Sequence, residues 1–541
     1  GRRARPGAQL PPRRGAASAA ARRASERLAA AAGAELQPFS AEQYRTLVRR
    51  LRRGSRYAAA LRLIDEWAAA YPAAAASDRL ALERITTLYD QRDNAAAVAA
   101  CRAFADRHPG SPLLPAVRLT DFRLAVRMGD KPRARRLGLD LWEGRVTGAT
   151  TGQRRAAALL LGAYLVAVGD VAGGLELYRG LFQSATEPDD QRSLLWRAGV
   201  AALRDGQHER ALGNLRSLVD REPDGDLALA AQYWLAVATA RSGDTSAAGR
   251  RFEAPASACP SYYYGLTARQ RLEELAGGEA APAPRRIEFP GLAVTAASRG
   301  RAEFKAAMAL ARAGLVEDAA WYLRRLLDSR RSDRGLALLA ARASAAAGDH
   351  AAVARVLVNH FGGFLSRPAR GMPGDFWTLV YPRPFWETVT KSAGAHGVDP
   401  MLLVSLMRQE SRFDPEARSV VGAVGLLQIM PYTAQALAER AGVGRILTAD
   451  GLDEAALTDP AVNTVIAARL NADLLELFDG VRAPVIASYN AGEERVADWW
   501  EGARGLRQDF FVDTIPYSET RRFVREVLAN YAAYQRVYGE N

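Results

Sequence analysis

The chain has 541 residues, too many for one hydrophobic core, and its length suggests roughly two to four domains. It is 49% hydrophobic with a net charge of +13, a globular composition basic enough to suit nucleic acid, a membrane surface or an anionic wall polymer. Two cysteines far apart, Cys101 and Cys259, and five scattered histidines exclude a disulfide framework, a zinc cluster and a histidine-based metal site, and no apolar run approaches the roughly 18 residues that span a bilayer.

Residues 1–36 are a basic tail. The first 30 residues hold eight arginines and one acid. Ala, Arg, Gly and Pro dominate, so the tail is expected to be largely disordered, with a weak helix over 19–32. A solubilising or linker role suits it better than a specific binding arm. No targeting segment is visible in the sequence, which begins at Gly1. No helix-turn-helix, finger or RNA-binding signature accompanies the charge, so nucleic acid is not an expected partner.

Residues 37–276 read as helical throughout, and they repeat. Breaks at 92–94, 128–130, 168–170, 205–207 and 242–244 are spaced by 36 to 40 residues. Each looks like the end of one helix and the opening of the next, the pattern of stacked helical hairpins resembling tetratricopeptide repeats. Tyr262, Tyr263 and Tyr264 follow the last break and are expected to pack between helices. Residues 277–374 begin with a linker and a modest strand-like run at 286–294. Two more hairpin turns follow, with Gly314 and Gly348 34 residues apart. The aromatic, proline-rich stretch from Asp375 to Trp386 marks a domain junction and opens the last domain, residues 375–541.

That domain holds the chemistry. Asp399 and Pro400 are a good N-cap and first-turn pair. In the helix they open, Leu403, Leu406 and Met407 share a face with Glu410. An acid at the end of a core face, near the negative end of the helix dipole, should be hard to ionise, and a carboxyl that keeps its proton near neutral pH is what a general acid needs. Read alone, Glu410 is also compatible with an ordinary helix end reaching water. Pro415 stops the helix, and a run reading GAVGLLQIMP spans 422–431. In it Gln428 is a polar group among Leu426, Leu427, Ile429 and Met430, and a substrate is one source of the partners a buried amide needs. Further helices are expected from Pro431 to about Arg440, from Pro460 to about Phe478, from Ala483 through Asn490, over 493–501, and from Pro516 to about Tyr538.

Four motifs occur in order: Glu410-Ser411; GLLQIMP at 425–431; ASYNAG at 487–492; and IPYSETR at 515–521. Together they resemble the catalytic domain of the large soluble lytic transglycosylases, lysozyme-like enzymes that cleave bacterial peptidoglycan. The resemblance covers about residues 375–541. Leu427, where that family most often has Met, and Ser488, where Ala is usual, depart from it but keep its small or apolar character.

The resemblance implies an all-α fold, a helical-repeat superhelix followed by a lysozyme-like α-helical catalytic domain. It implies cleavage of the β-1,4 bond between N-acetylmuramic acid and N-acetylglucosamine. Glu410 would act first as acid and then as base, leaving 1,6-anhydromuramic ends. Tyr489 and Asn490 would orient Glu410 or the sugar amide, and Gln428 would line the groove. Ser411 would donate to the substrate or satisfy its helix end. Tyr517 would form a groove wall and Glu519 would support neighbouring donors. Arg521 and Arg522 are expected at the surface or in salt bridges, outside the chemistry.

Neither a cofactor nor a metal is implied. The expected partners are peptidoglycan glycan strands, with cell-wall proteins as further candidates for the superhelix, and the expected state is an exported, periplasmic monomer. Two other readings stay open at this point. A muramidase of the same fold would need an organised water and usually a second carboxylate, about 5 to 9.5 Å from the first; Asp414 and Glu416 are near in sequence, but their loop gives no reason to place either across a scissile bond. A noncatalytic wall-binding scaffold would need only the repeats.

Overall fold

The computed structural model describes residues 39–54, 56–71, 77–221, 223–277, 287–365, 369–448 and 451–539, and the basic tail lies outside them. The described chain is all-α apart from two pairs of two-residue strands. It divides after Arg92 into two compact units.

The first unit holds α1 (Ala41–Arg53), α2 (Tyr57–Ala70) and α3 (Asp78–Gln91). Ser40 starts α1 with a capping box: its hydroxyl accepts from the Gln43 N–H, and the Gln43 amide oxygen accepts from the Ser40 N–H. Tyr44, Val48, Ala60, Ile64, Trp67 and Leu80 are buried together as the core of this unit.

The second unit opens with α4 (Asn94–Arg107), α5 (Leu114–Arg127), α6 (Lys131–Trp142), α7 (Thr151–Ala167) and α8 (Val171–Gln183). It continues with α9 (Pro188–Arg204), α10 (His208–Val219), α11 (Gly225–Arg241), α12 (Thr245–Ala258) and α13 (Tyr263–Leu275). The breaks at 128–130, 168–170, 205–207 and 242–244 are hairpin turns, and their chemistry explains their recurrence. Asp93, Asp130, Asp170 and Asp244 each cap the following helix by accepting the backbone N–H three residues on. At 168–170, Gly169 adopts φ +96°, ending α7 just before Asp170 opens α8. Cys101 is buried and Cys259 partly so, and no disulfide joins them; burial, with the nearby Asp121 charge, pushes the Cys101 thiol up to about 12.

Beyond α13, β1 (Ile287–Glu288) pairs in parallel with β2 (Ala369–Arg370), Ile287 opposite Ala369. Between them lie α14 (Ala296–Arg299), α15 (Ala302–Arg312), α16 (Val316–Ser329), α17 (Arg334–Ala346) and α18 (His350–Phe361). The buried Asp333 carboxylate ties this stretch together. It accepts from the Thr295 N–H, the Thr295 and Ser298 hydroxyls and the Leu336 N–H.

The rest of the unit comprises α19 (Phe376–Val380), α20 (Trp386–His396), α21 (Pro400–Glu410), α22 (Pro431–Leu437), the hairpin β3 (Leu447–Thr448) and β4 (Gly451–Leu452), α23 (Pro460–Leu477), α24 (Arg482–Ala491), α25 (Glu493–Ala503), α26 (Gln508–Thr514) and α27 (Ser518–Tyr538). The helix expected to reach Arg440 stops at Leu437, and turns carry the chain through 438–442.

The hairpins hold this last segment through buried polar contacts. Gly502 of α25 packs directly on the α7–α8 turn: a Cβ there would fall 2.3 Å from the Ala167 carbonyl oxygen. The Arg204 guanidinium donates to the Val166 and Gly502 carbonyls. On α26, Asp509 receives the Tyr233 hydroxyl and Arg271, the latter at 2.8 Å. Asp513 receives the Trp234 indole N–H, the Tyr264 hydroxyl at 2.8 Å and the Arg525 Nε at 2.9 Å. Tyr263 and Tyr264 are thus packed between helices, as expected, whereas Tyr262 is half exposed. Arg521 corrects the surface expectation. It is buried, donates to the Ile515 carbonyl at 2.8 Å and lies over the Trp196 ring at 4.9 Å; burial pushes its pKa down to about 9.

Candidate active site

Helix α21 forms where its capping residues dictate. Asp399 Oδ1 accepts the Met401 N–H at 2.8 Å, and the other oxygen receives the Tyr531 hydroxyl at 2.6 Å, fixing the helix start to α27. Leu402 to Met407 are buried. The next two residues pin the far end: Arg408 donates to the Val380 carbonyl at 2.8 Å, and Gln409 donates to Glu526 at 2.6 Å. Glu410 is the last residue of this clamped helix. Burial pushes its carboxyl up to about 8, because a carboxylate loses hydration there without gaining an opposing charge. A carboxyl with that pKa is mostly protonated at neutral pH and can both give and take a proton.

The backbone turns sharply after the acid. Arg412 and Phe413 adopt φ values of +54° and +70°, a left-handed pair without glycine that requires surrounding contacts to hold it. Phe413 is buried, with the His350 ring set edge-on at 5.5 Å. The Ser411 hydroxyl accepts the Phe413 N–H at 3.1 Å and donates to the Leu426 carbonyl at 2.7 Å. Ser411 therefore braces the turn, its hydroxyl lying 2.7 Å from the Leu426 carbonyl of the next motif and 3.3 Å from the Met407 carbonyl at its own helix end.

That motif is a closed loop. Val424 and Ile429 exchange both backbone hydrogen bonds at 3.0 Å. Gly425 between them has φ +83°, and a Cβ there would lie 2.3 Å from both Asn463 Nδ2 and the Leu457 carbonyl oxygen, so no other residue fits without displacing the loop. Gln428 is also left-handed, at φ +47°. Its amide donates to the Ala417 carbonyl at 3.1 Å and the Gly425 carbonyl at 2.8 Å. Both amide hydrogens serve the loop, and the amide oxygen accepts no hydrogen bond among the described residues. Asn463 of α23 is wholly buried behind the loop. Its oxygen accepts the Leu427 N–H at 2.8 Å, and its nitrogen donates to the Val424 and Leu457 carbonyls at 2.9 Å.

Helix α24 brings the third motif to the acid. Residues 483–488 are buried; the Ser488 hydroxyl donates to the Pro484 carbonyl at 2.9 Å within its own helix, which lets it stand in an apolar setting. Burial raises the Tyr489 phenol, and the Glu410 charge raises it further, so the two groups are electrostatic neighbours. The Tyr489 oxygen accepts from Asn471 at 2.8 Å. The Asn490 amide oxygen accepts the hydroxyl of buried Thr520, which leaves its NH₂ to donate. In the fourth motif Tyr517 packs edge-on against Trp499 at 5.4 Å. Glu519 is exposed in the first turn of α27 and makes no ion pair among the described residues.

The structure thus gathers Glu410 with Tyr489, joins Ser411 to the Gln428 loop, and links Asn490 to the final motif through Thr520. It leaves Glu519 at the surface. Asp414 and Glu416 are exposed, and Asp414 accepts the Glu416 N–H as a turn-former at 2.9 Å. Among the described residues no group of three or more His, Cys, Asp or Glu is placed to hold a metal ion. Sequence reasoning missed Asn463, Asn471 and Thr520. The first two had a readable signal: they lie eight positions apart on one face of α23, with buried Ala467 between them, so two amides interrupt an apolar stripe.

Comparison with known proteins bears on residues 387–510, which match the family model of the Transglycosylase SLT domain. The soluble lytic murein transglycosylase of Salmonella typhimurium is 30% identical over 177 residues, 31% of this chain and 26% of that protein. That of Escherichia coli K12 is 31% identical over 170 residues, 30% of this chain and 25% of that protein. The matched part is about a quarter of the length of these relatives. The solved lytic transglycosylase Slt of Pseudomonas aeruginosa, an inactive Glu-to-Gln mutant, shares the fold with a TM-score of 0.57 at 22% identity, over 86% of this chain and 74% of that one. Glu410, Gln428 and the Tyr489-Asn490 pair all lie within the segment that matches the Transglycosylase SLT domain.

Proposed function

We propose that this chain is a lytic transglycosylase that cleaves the β-1,4 bond between N-acetylmuramic acid and N-acetylglucosamine in peptidoglycan. The observation that carries this reading is Glu410: in an SLT domain, at the end of a clamped helix, burial holds its carboxyl near pKa 8. The protonated acid gives its proton to the glycosidic oxygen as the bond to C1 breaks. The resulting carboxylate then takes the proton of the muramyl C6 hydroxyl as that oxygen bonds to C1. The proton ledger closes on one residue, no water is consumed, and the product end is a 1,6-anhydro sugar. A nucleophile tethered to the reacting ring has a high effective concentration, so no second carboxylate is required.

In this reading Tyr489 and the Asn490 NH₂ orient the acid or the substrate's acetamido group, which supports the developing charge at C1. The Gln428 amide oxygen faces the sugar, and Tyr517 forms part of the groove wall, with Glu519 supporting donors at its rim. Ser411 serves as a brace. The helical hairpins align glycan strands or wall proteins, and the enzyme acts as an exported periplasmic monomer; among the described residues no helix is long and apolar enough to cross a membrane. Glu410→Gln tests the assignment: it should fold normally and lose at least about a hundredfold in release of soluble fragments from purified peptidoglycan. Turnover within tenfold of the parent would remove Glu410 from the chemistry.

A further inference from the structure

We infer that Asn471, on α23, is a positioning residue that aims the Tyr489 hydroxyl proton into the catalytic groove. The inference rests on the transglycosylase reading above and adds a residue outside its four motifs. Asn471 is wholly buried, and its Nδ2 donates at 2.9 Å to the Ala467 carbonyl and at 2.8 Å to the Tyr489 oxygen. The Ala467 carbonyl fixes the amide orientation, since turning it over would set two acceptors against each other. Both Nδ2 hydrogens are then used, and the Tyr489 oxygen is held as an acceptor.

A phenol has one hydrogen of its own, and it cannot be given back to the N–H that its oxygen receives. Tyr489 donates to no acceptor among the described residues, so its proton is available to the carboxylate or substrate beside it. The arrangement carries a cost: Asn471 Oδ1 is buried with no hydrogen-bond partner. An apolar residue here would leave neither that orphan acceptor nor a fixed phenol. A side chain present only for packing gains nothing from such an amide, whereas one that sets the direction of a proton requires it.

The test compares Asn471→Leu, Asn471→Asp and Tyr489→Phe with the double variant Asn471→Leu/Tyr489→Phe, measuring kcat and KM on purified glycan strands together with Tm. Asn471→Leu should lower kcat about tenfold with KM within twofold and Tm no lower than the parent's. Asn471→Asp places an acceptor at the phenol, draws its proton away from the groove, and should lower kcat at least as far. In the Tyr489→Phe background Asn471→Leu should change kcat by less than twofold, because there is no proton left to direct. A fall in Tm with kcat unchanged, or an equal loss of kcat with and without the Tyr489 hydroxyl, would show a structural amide and overturn the inference. A parent enzyme that cleaves glycan while Asn471→Leu keeps its full kcat overturns this inference alone; a parent that cleaves none overturns both it and the reading beneath it.

Discussion

The Ser411 hydroxyl donates to the Leu426 carbonyl at 2.7 Å, so the end of the helix that carries Glu410 and the loop that carries Gln428 are joined by one side chain. Asn463 grips the same loop from the opposite side, through Val424 and Leu427. The helix end that carries the acid and the loop that carries Gln428 are thereby held by braces within the protein. Such support is what keeps a catalytic carboxyl within reach of a bond a few ångströms away.

Asn463→Leu is predicted to strand one buried N–H and two carbonyls. At about 1–3 kcal/mol for each unsatisfied group, unfolding should become easier by roughly 3 kcal/mol or more. Gly425→Ala should do comparable harm, since its Cβ would overlap Asn463 Nδ2 and the Leu457 oxygen at 2.3 Å. Urea unfolding of both variants checks this; midpoints equal to the parent's would show that the loop is not held as described.

Glu410→Gln should stabilise the protein, and only away from acid. The carboxyl pKa is raised from 4.5 to about 8. As pH rises through 4.5 the unfolded chain ionises while the folded one keeps its proton, so parent stability falls until the folded group ionises near pH 8. A neutral glutamine escapes that loss. The variant should match the parent at pH 4 and exceed it by up to about 3 kcal/mol at neutral pH, since each tenfold change in proton affinity is worth about 1.4 kcal/mol. Thermal melts across pH 4–8 read this directly, and a difference that does not vary with pH would contradict the burial of Glu410.

The same pKa sets the rate profile. In the proposed reaction the acid form is the one that starts, so kcat/KM should fall tenfold per pH unit beyond about 8, where Glu410 loses its proton. Initial rates on soluble glycan at fixed ionic strength give the limb. A fall that begins near the ordinary glutamate value would mean that the carboxyl is hydrated.

Much of this was legible in the chain. The Asp399-Pro400 start, the buried face of α21 and the acid at its end follow from local capping and a 3.6-residue period. The hairpin turns at 129–130, 169–170, 243–244 and 348–349 follow from Gly-Asp pairs that end one helix and cap the next. What the sequence concealed depends on partners far along the chain. Gln428 looked like an amide waiting for substrate, yet its hydrogens close its own loop. Arg521 looked like a surface charge because periodicity cannot show that Trp196, more than three hundred positions earlier, lies beneath it. Thr520 gave no sign of reaching Asn490, since neither residue breaks a pattern.

Asp513 is predicted to be a stability determinant that no active-site assay would find. It holds Arg525, the Trp234 indole and the Tyr264 hydroxyl in a buried cluster. Asp513→Ala leaves Arg525 without its counter-charge, a change worth about 3–5 kcal/mol in comparable buried pairs. The urea midpoint should fall accordingly, and a change below about 1 kcal/mol would mean that water replaces the carboxylate there.

The central claim is that a tethered sugar hydroxyl, not water, completes the reaction begun by Glu410. Mass spectrometry of peptidoglycan digested in ¹⁸O-labelled water tests it most directly. The account predicts muropeptides ending in 1,6-anhydromuramic acid, lighter by one water than reducing ends and free of label. Reducing muramic ends carrying one labelled oxygen per cut would contradict it and make the enzyme a hydrolase.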